Sequence, residues 1–114
     1  MERQFDYVLN VSLTASQRLD NQPLPLQGDA PFAVRALVAT STGSFRLRIK
    51  TPQNDYMSNE LVNSPNIVGT GQFPAPVFPE MVFPRTGVIS VDLEDTSGAP
   101  NTIQLVFKGA KRFE

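Results

Sequence analysis

Asp92 and Glu94 are the two side chains best spaced for chemistry. They are separated by one residue, so on a strand they would share a face at roughly 7 Å, close to the carboxylate spacing used in glycoside hydrolysis. Asp95 beside them would add a third oxygen ligand for calcium. The plainer reading is the solvated outer face of a strand ending in a turn, and it is the one adopted. The chain has no histidine and no cysteine. Their absence removes the usual neutral-pH acid-base group, most nucleophile-base pairs and most transition-metal sites. No catalytic, cofactor-binding or metal-ligating residue is therefore assigned, and the chain is read as a non-enzyme.

Arg46, Arg48 and Lys50 alternate along one stretch and would present three cations on one strand face. No aromatic residue is interleaved with them, so they suit the rim of a protein contact better than a nucleic-acid track. The remaining motifs are weak. Gly69-Thr70-Gly71 lacks the strand-to-helix setting of a phosphate loop. Pro76-Val77-Phe78-Pro79 has the PxxP spacing without a flanking cation, and Asn10-Val11-Ser12 lies inside a strand pattern.

The elements that would carry these residues are strands. Residues 88–94 and 102–108 alternate apolar with polar. Ile89, Val91 and Leu93 fall opposite Ser90, Asp92 and Glu94; Ile103, Leu105 and Phe107 fall opposite Gln104 and Lys108. The link at 95–101 permits either a hairpin or two strands facing each other across a core. Residues 4–14 form another period-two run, with Phe5, Tyr7, Leu9, Val11 and Leu13 in phase. In 32–40, Phe32, Val34 and Ala36 oppose Arg35 and Leu37, as in a strand covered on much of both faces. The turn at Ser41-Thr42-Gly43 leads to Phe45, Leu47 and Ile49, which alternate with the three cations. The stretch 32–50 is thus the best hairpin in the sequence, and 15–31 reads as a polar connection stiffened by Pro23 and Pro25.

From 51 to 86 the periodicity fails, apart from Glu60-Leu61-Val62, which fits one strand or one helical turn. Within this stretch, 73–84 is rich in proline and phenylalanine. It is too apolar to remain in water and too rich in proline for a helix or a central strand, so it should run extended as a long Pro-rich loop, an edge or a cover. Val77, Phe78, Met81 and Phe83 are its candidate subunit contacts, since a stiff apolar segment loses little entropy on docking. Arg46, Arg48 and Lys50 complete the set of candidate interface residues.

At 114 residues, with 40% hydrophobic and 18% charged side chains, the chain reads as one domain over 1–114. A net charge of −1 supplies no field to draw nucleic acid or an anionic membrane. The start of the chain lacks a basic and apolar leader, and no apolar run reaches membrane-spanning length, so a soluble chain is expected. Ten prolines against seven glycines favour strands joined by stiff loops. The expected fold is all-β, a single-domain β-sandwich of the jelly-roll kind.

Several strings together resemble a family of small structural proteins of tailed bacteriophages. They are Asp29-Ala30-Pro31-Phe32-Ala33-Val34-Arg35-Ala36, Thr42-Gly43-Ser44-Phe45-Arg46, and Gln72-Phe73-Pro74-Ala75-Pro76-Val77-Phe78-Pro79-Glu80. With them go the run from Ile89 to Leu93, Ser97-Gly98, Asn101, Ile103, Leu105, Phe107, Gly109, Lys111 and Phe113. The resemblance covers residues 29–113 and is one of strands and turns, not of an active site. It implies a capsid decoration, or cement, protein: a β-sandwich made in the host cytoplasm that binds the major capsid protein on the head surface of the virion. It further implies a homo-oligomer, dimer or trimer, with no cofactor and neither nucleic acid nor membrane as partner. The rival expectation is a tail-associated or adhesin-type carbohydrate-binding module, for which Tyr7 and Tyr56 are the available tyrosine platforms.

Overall fold

The computed structural model describes residues 1–113. Among the described residues, eight strands account for nearly all the regular structure: β1 (Glu2–Leu13), β2 (Arg18–Pro25), β3 (Phe32–Ser41), β4 (Phe45–Ile49), β5 (Val62–Asn63), β6 (Ala75–Phe83), β7 (Val88–Asp95) and β8 (Asn101–Arg112). They form two antiparallel four-stranded sheets, ordered β1-β8-β3-β6 and β2-β7-β4-β5. The inner faces close on one another around alternate apolar residues. Tyr7, Leu9, Val11 and Leu13 of β1 and Ile103, Leu105 and Phe107 of β8 meet Ile89, Val91 and Leu93 of β7 and Phe45, Leu47 and Ile49 of β4. Period-two patterning therefore places the core as expected, since each strand has one wet and one dry side.

Chain neighbours do not pair as the sequence suggested. β3 and β4 are not a hairpin: β3 lies beside β8 and β6 in the first sheet, β4 beside β7 and β5 in the second. The short turn between them crosses from one sheet to the other. Asn101 holds it there, accepting from the Gly43 N–H at 3.2 Å and donating from Nδ2 to the Ser44 carbonyl at 2.9 Å. β7 and β8 likewise take opposite sheets, one of the two arrangements their linker allowed.

The stretch at 15–31, read as a connection, contains β2, and the Pro-rich stretch, expected as a loop, an edge or a cover, contains the edge strand β6. Both lie at sheet edges, where a proline without an N–H leaves no ladder bond unmade on its open side. β5 is only two residues long and runs into a single 3-10 turn, Ser64–Asn66. The inward phase of β3 also breaks. Phe32 and Val34 point into the core, but a register shift between Val34 and Ala36 brings Leu37 inward in place of Ala36. Opposite that irregularity stands Gly109 of β8, where a methyl group would collide with the Ala33 carbonyl oxygen.

Candidate functional site

The acidic pair and the cationic row predicted as separate faces turn out to be one surface that neutralises itself. The β4–β7 register sets Arg46 opposite Glu94 and Arg48 opposite Asp92. Arg46 pairs with Glu94, and Arg48 Nη2 lies 3.1 Å from Asp92 Oδ2. Asp92 was expected in water, yet it is 1% exposed. It sits on the outer face of its sheet but is roofed by the irregular middle of β2 and by Tyr56. The Asn21 N–H, in a left-handed conformation (φ 53°), donates to Asp92 Oδ1 at 2.8 Å. Burial alone would raise the Asp92 carboxyl; donors from Asn21, Arg48 and Tyr56 outweigh that and hold it below the usual carboxylate range. The Tyr56 phenol is pushed up in turn, chiefly because it donates to Asp92. The Arg48 guanidinium stacks over the Tyr56 ring at 3.6 Å, and Lys50 Nζ lies 5.2 Å from the same ring.

Asp95 faces the other way and does not join Asp92 and Glu94 in a calcium site. It is buried at one end of the sandwich, where its carboxylate accepts from the Ser16, Ser97 and Gly98 N–H groups, the Ser97 hydroxyl and Asn101 Nδ2, at 2.6–3.1 Å. The Ser97 hydroxyl is the largest cause that holds this carboxyl far below its ordinary value. Through Asn101 the same cluster reaches the β3–β4 turn. One carboxylate thus ties together the β1–β2, β3–β4 and β7–β8 connections.

The outer face of the first sheet carries an ionic ring that the sequence reading missed. Arg35 bonds Glu80 at 2.7 Å and Glu2 at 2.8 Å; Arg112 bonds Glu2 at 3.1 Å and also Glu80. The four residues belong to β3, β6, β1 and β8, so the ring spans all four strands. It supplies the partners that Arg35 required. The Arg35 bond, followed by that of Arg112, draws the Glu2 carboxyl below its usual range.

A second missed feature is Lys111, which is 1% exposed. Its ammonium donates to Gln27 Oε1 at 2.6 Å and Asp29 Oδ2 at 2.9 Å and stands 3.9 Å from the Phe5 ring centroid. The bond from Lys111 lowers the Asp29 carboxyl. Phe5, Tyr7 and Phe32 stack edge to face beneath it, with centroids 4.9 and 4.7 Å apart. The signal was present: the inward series Ile103, Leu105, Phe107 continues through Gly109 to Lys111.

The candidate contact residues of the Pro-rich segment divide. Phe83 is 2% exposed and belongs to the core, so it is withdrawn as a contact residue. It pairs with Phe32 across the β3–β6 ladder and closes one end of the sandwich. Val77 and Met81 pack against the core from its margin. Phe78 is 95% exposed. It lies where β6 bows away from β3 beside the cis Phe78-Pro79 bond, between the pairs Ala36–Pro76 and Val34–Met81. Phe73, which precedes β6, is 76% exposed.

The geometry defines an all-β sandwich whose polar groups are largely paired among themselves and whose two most exposed aromatic rings are Phe73, just before β6, and Phe78 within it. Comparison with family models, curated proteins and solved structures finds no match for the chain.

Proposed function

We propose that this chain is a non-enzymatic structural protein of a tailed-phage head, a decoration or cement protein that binds the major capsid protein and stabilises the shell. The observation that carries the reading is Phe78, a phenylalanine 95% exposed on an edge strand whose backbone is anchored by the Arg35–Glu80 pair. A ring so exposed, on a support so constrained, is the form of a contact residue. The two sheets, with strand order β1-β8-β3-β6 and β2-β7-β4-β5, support the finer jelly-roll description: successive strands pass between sheets, apart from the step from β4 to β5.

The docking surface in this reading is the β6 edge, with Phe78 at its centre and Val77 and Met81 beside it. Arg46, Arg48 and Lys50 take a smaller part than their sequence implied. Two of them are paired within the chain and would meet a partner as a neutralised rim, not as a free positive face. The adhesin reading has less to stand on, because Tyr7 lies in the core and Tyr56 is covered by Arg48. Mass spectrometry of purified virions should find this chain in a copy number comparable to that of the major capsid protein, and Phe78→Ser should reduce its retention on heads. A chain found only in a few copies per tail, or absent from the particle, would end the proposal.

A further inference from the structure

We infer that the uncharged end of the sandwich is a self-association surface: two copies meet head to head there, with Phe73 of each seated in the apolar groove of the other. The inference rests on the shell-protein reading for its biological setting and on separate residues for its geometry.

The four connections at this end, 14–17, 42–44, 64–74 and 96–100, contain no Asp, Glu, Lys or Arg, in a chain of which 18% is charged. Asp95 at their base is buried, and the charges at the margin are paired, Arg46 with Glu94 and Arg18 with Asp20. The opposite end differs. Arg3, Lys50 and Arg85 lie there without an ion pair among the described residues, against one unpaired carboxylate, Asp55. Two cationic ends repel, whereas two uncharged ends can meet without stripping water from any ion, as the cores of protein interfaces require. A strongly acidic or basic partner would find no opposite charge at this end.

Shape points to a second copy as the occupant. Phe73 stands on the rim of a groove whose apolar lining is Ala39, Phe45, Pro65 and Val68, with Ser41, Ser64 and Thr70 beside them. Knob and hole adjoin on one chain, so a two-fold axis between copies fills both grooves at once, as a closed isologous contact does. The knob is also held in place. The Phe73 N–H donates to the Thr70 hydroxyl at 3.0 Å, the Thr70 N–H donates to the Phe73 carbonyl at 3.1 Å, and Asp95 with Asn101 fixes three neighbouring connections. Little order remains to be imposed on binding. The molecule measures 46 × 28 × 23 Å, and two of its narrow ends in contact would bury on the order of 1,000 Å², the lower bound for a specific interface.

Sedimentation velocity of the full chain over a wide concentration range tests this. A reversible dimer is expected, with an association constant that does not fall as salt is raised, because no ion pair contributes. Phe73→Asp should weaken dimerisation at least about tenfold without lowering the melting temperature, since the ring it removes is exposed. Phe78→Asp should leave the dimer intact. A chain that stays monomeric at every concentration overturns the inference, as does a dimer that survives Phe73→Asp or dissociates in salt. A monomer that captures neutral glycans through Phe73 overturns it by naming another occupant. Head retention lost in Phe78 variants while dimerisation persists, or the converse, separates failure of the shell reading from failure of this one.

Discussion

Asp95 and Asp92 are buried carboxylates stabilised by donors that favour the ionised form, Glu2 is drawn down by Arg35 and Arg112 at the surface, and Asp29 by the buried Lys111. A carboxyl whose folded value lies below its unfolded one contributes stability that is complete above the unfolded value of about 4. That contribution is lost as pH falls through the folded values. The melting temperature should therefore be level near neutrality and fall on acidification below about pH 4. Asp95→Asn should lower the neutral plateau and flatten the acid limb, as measured by thermal melts from neutral to strongly acidic buffer; an unchanged limb would remove Asp95 from that role. Lys111 is expected to behave differently. Lys111→Met keeps the buried volume and leaves Asp29 free to take water, so it should cost less than Asp29→Asn, which takes the carboxylate from a buried ammonium. Urea melts of the two variants decide the order. At this scale the sequence showed which residues alternate inward, and the series from Ile103 to Phe107 extends without a break to Lys111. It could not show the burial of Asp92, because the roof over it comes from Asn21 and Tyr56, more than thirty positions away along the chain.

β6 shows how an edge strand is held when prolines weaken its ladder. The ring of Glu2, Arg112, Arg35 and Glu80 crosses the whole sheet and ends on this strand. Breaking it with Glu80→Gln should raise amide hydrogen exchange in β6 selectively, with β7 and β8 unaffected; uniform exchange across the sheet would mean that the ring does not fasten the edge. In β8 the corresponding weak point is Gly109. Gly109→Ala would push β8 away from the Ala33 carbonyl, and chemical denaturation should show an unfolding free energy lowered by about 1–3 kcal/mol. Leu105→Ala, an ordinary core truncation, should cost about 2–5 kcal/mol. Elements with clean alternation, β1, β4, β7 and β8, could be read from the sequence because each has one wet and one dry face. β2 could not, and β6 only as one of several alternatives, because Pro23, Pro25, Pro76 and Pro79 resemble loop chemistry, and only a place at the sheet edge makes them compatible with a strand.

Across the whole molecule, the all-β sandwich was legible from periodicity and turn residues, but strand partnership was not. Alternation states which side of a strand is dry and is silent on which strand lies beside it. The turn at 42–44 illustrates the point: its length suits a hairpin, and its use as a crossing depends on Asn101, more than fifty positions further along. The candidate site was partly legible for the same reason, since Phe78 could be picked out as apolar and stiffly held, while Phe83 sank into the core once β6 found β3. One feature of the topology reaches beyond the finished fold. Among the described residues β1 pairs with β8 alone, Glu2 lying across from Arg112 and Leu13 from Asn101, so β1 leaves the ribosome long before the strand it needs as a neighbour. Nascent chains halted before residue 101 should stay protease-sensitive, with β1 a sticky, unzipped margin until β8 follows it out.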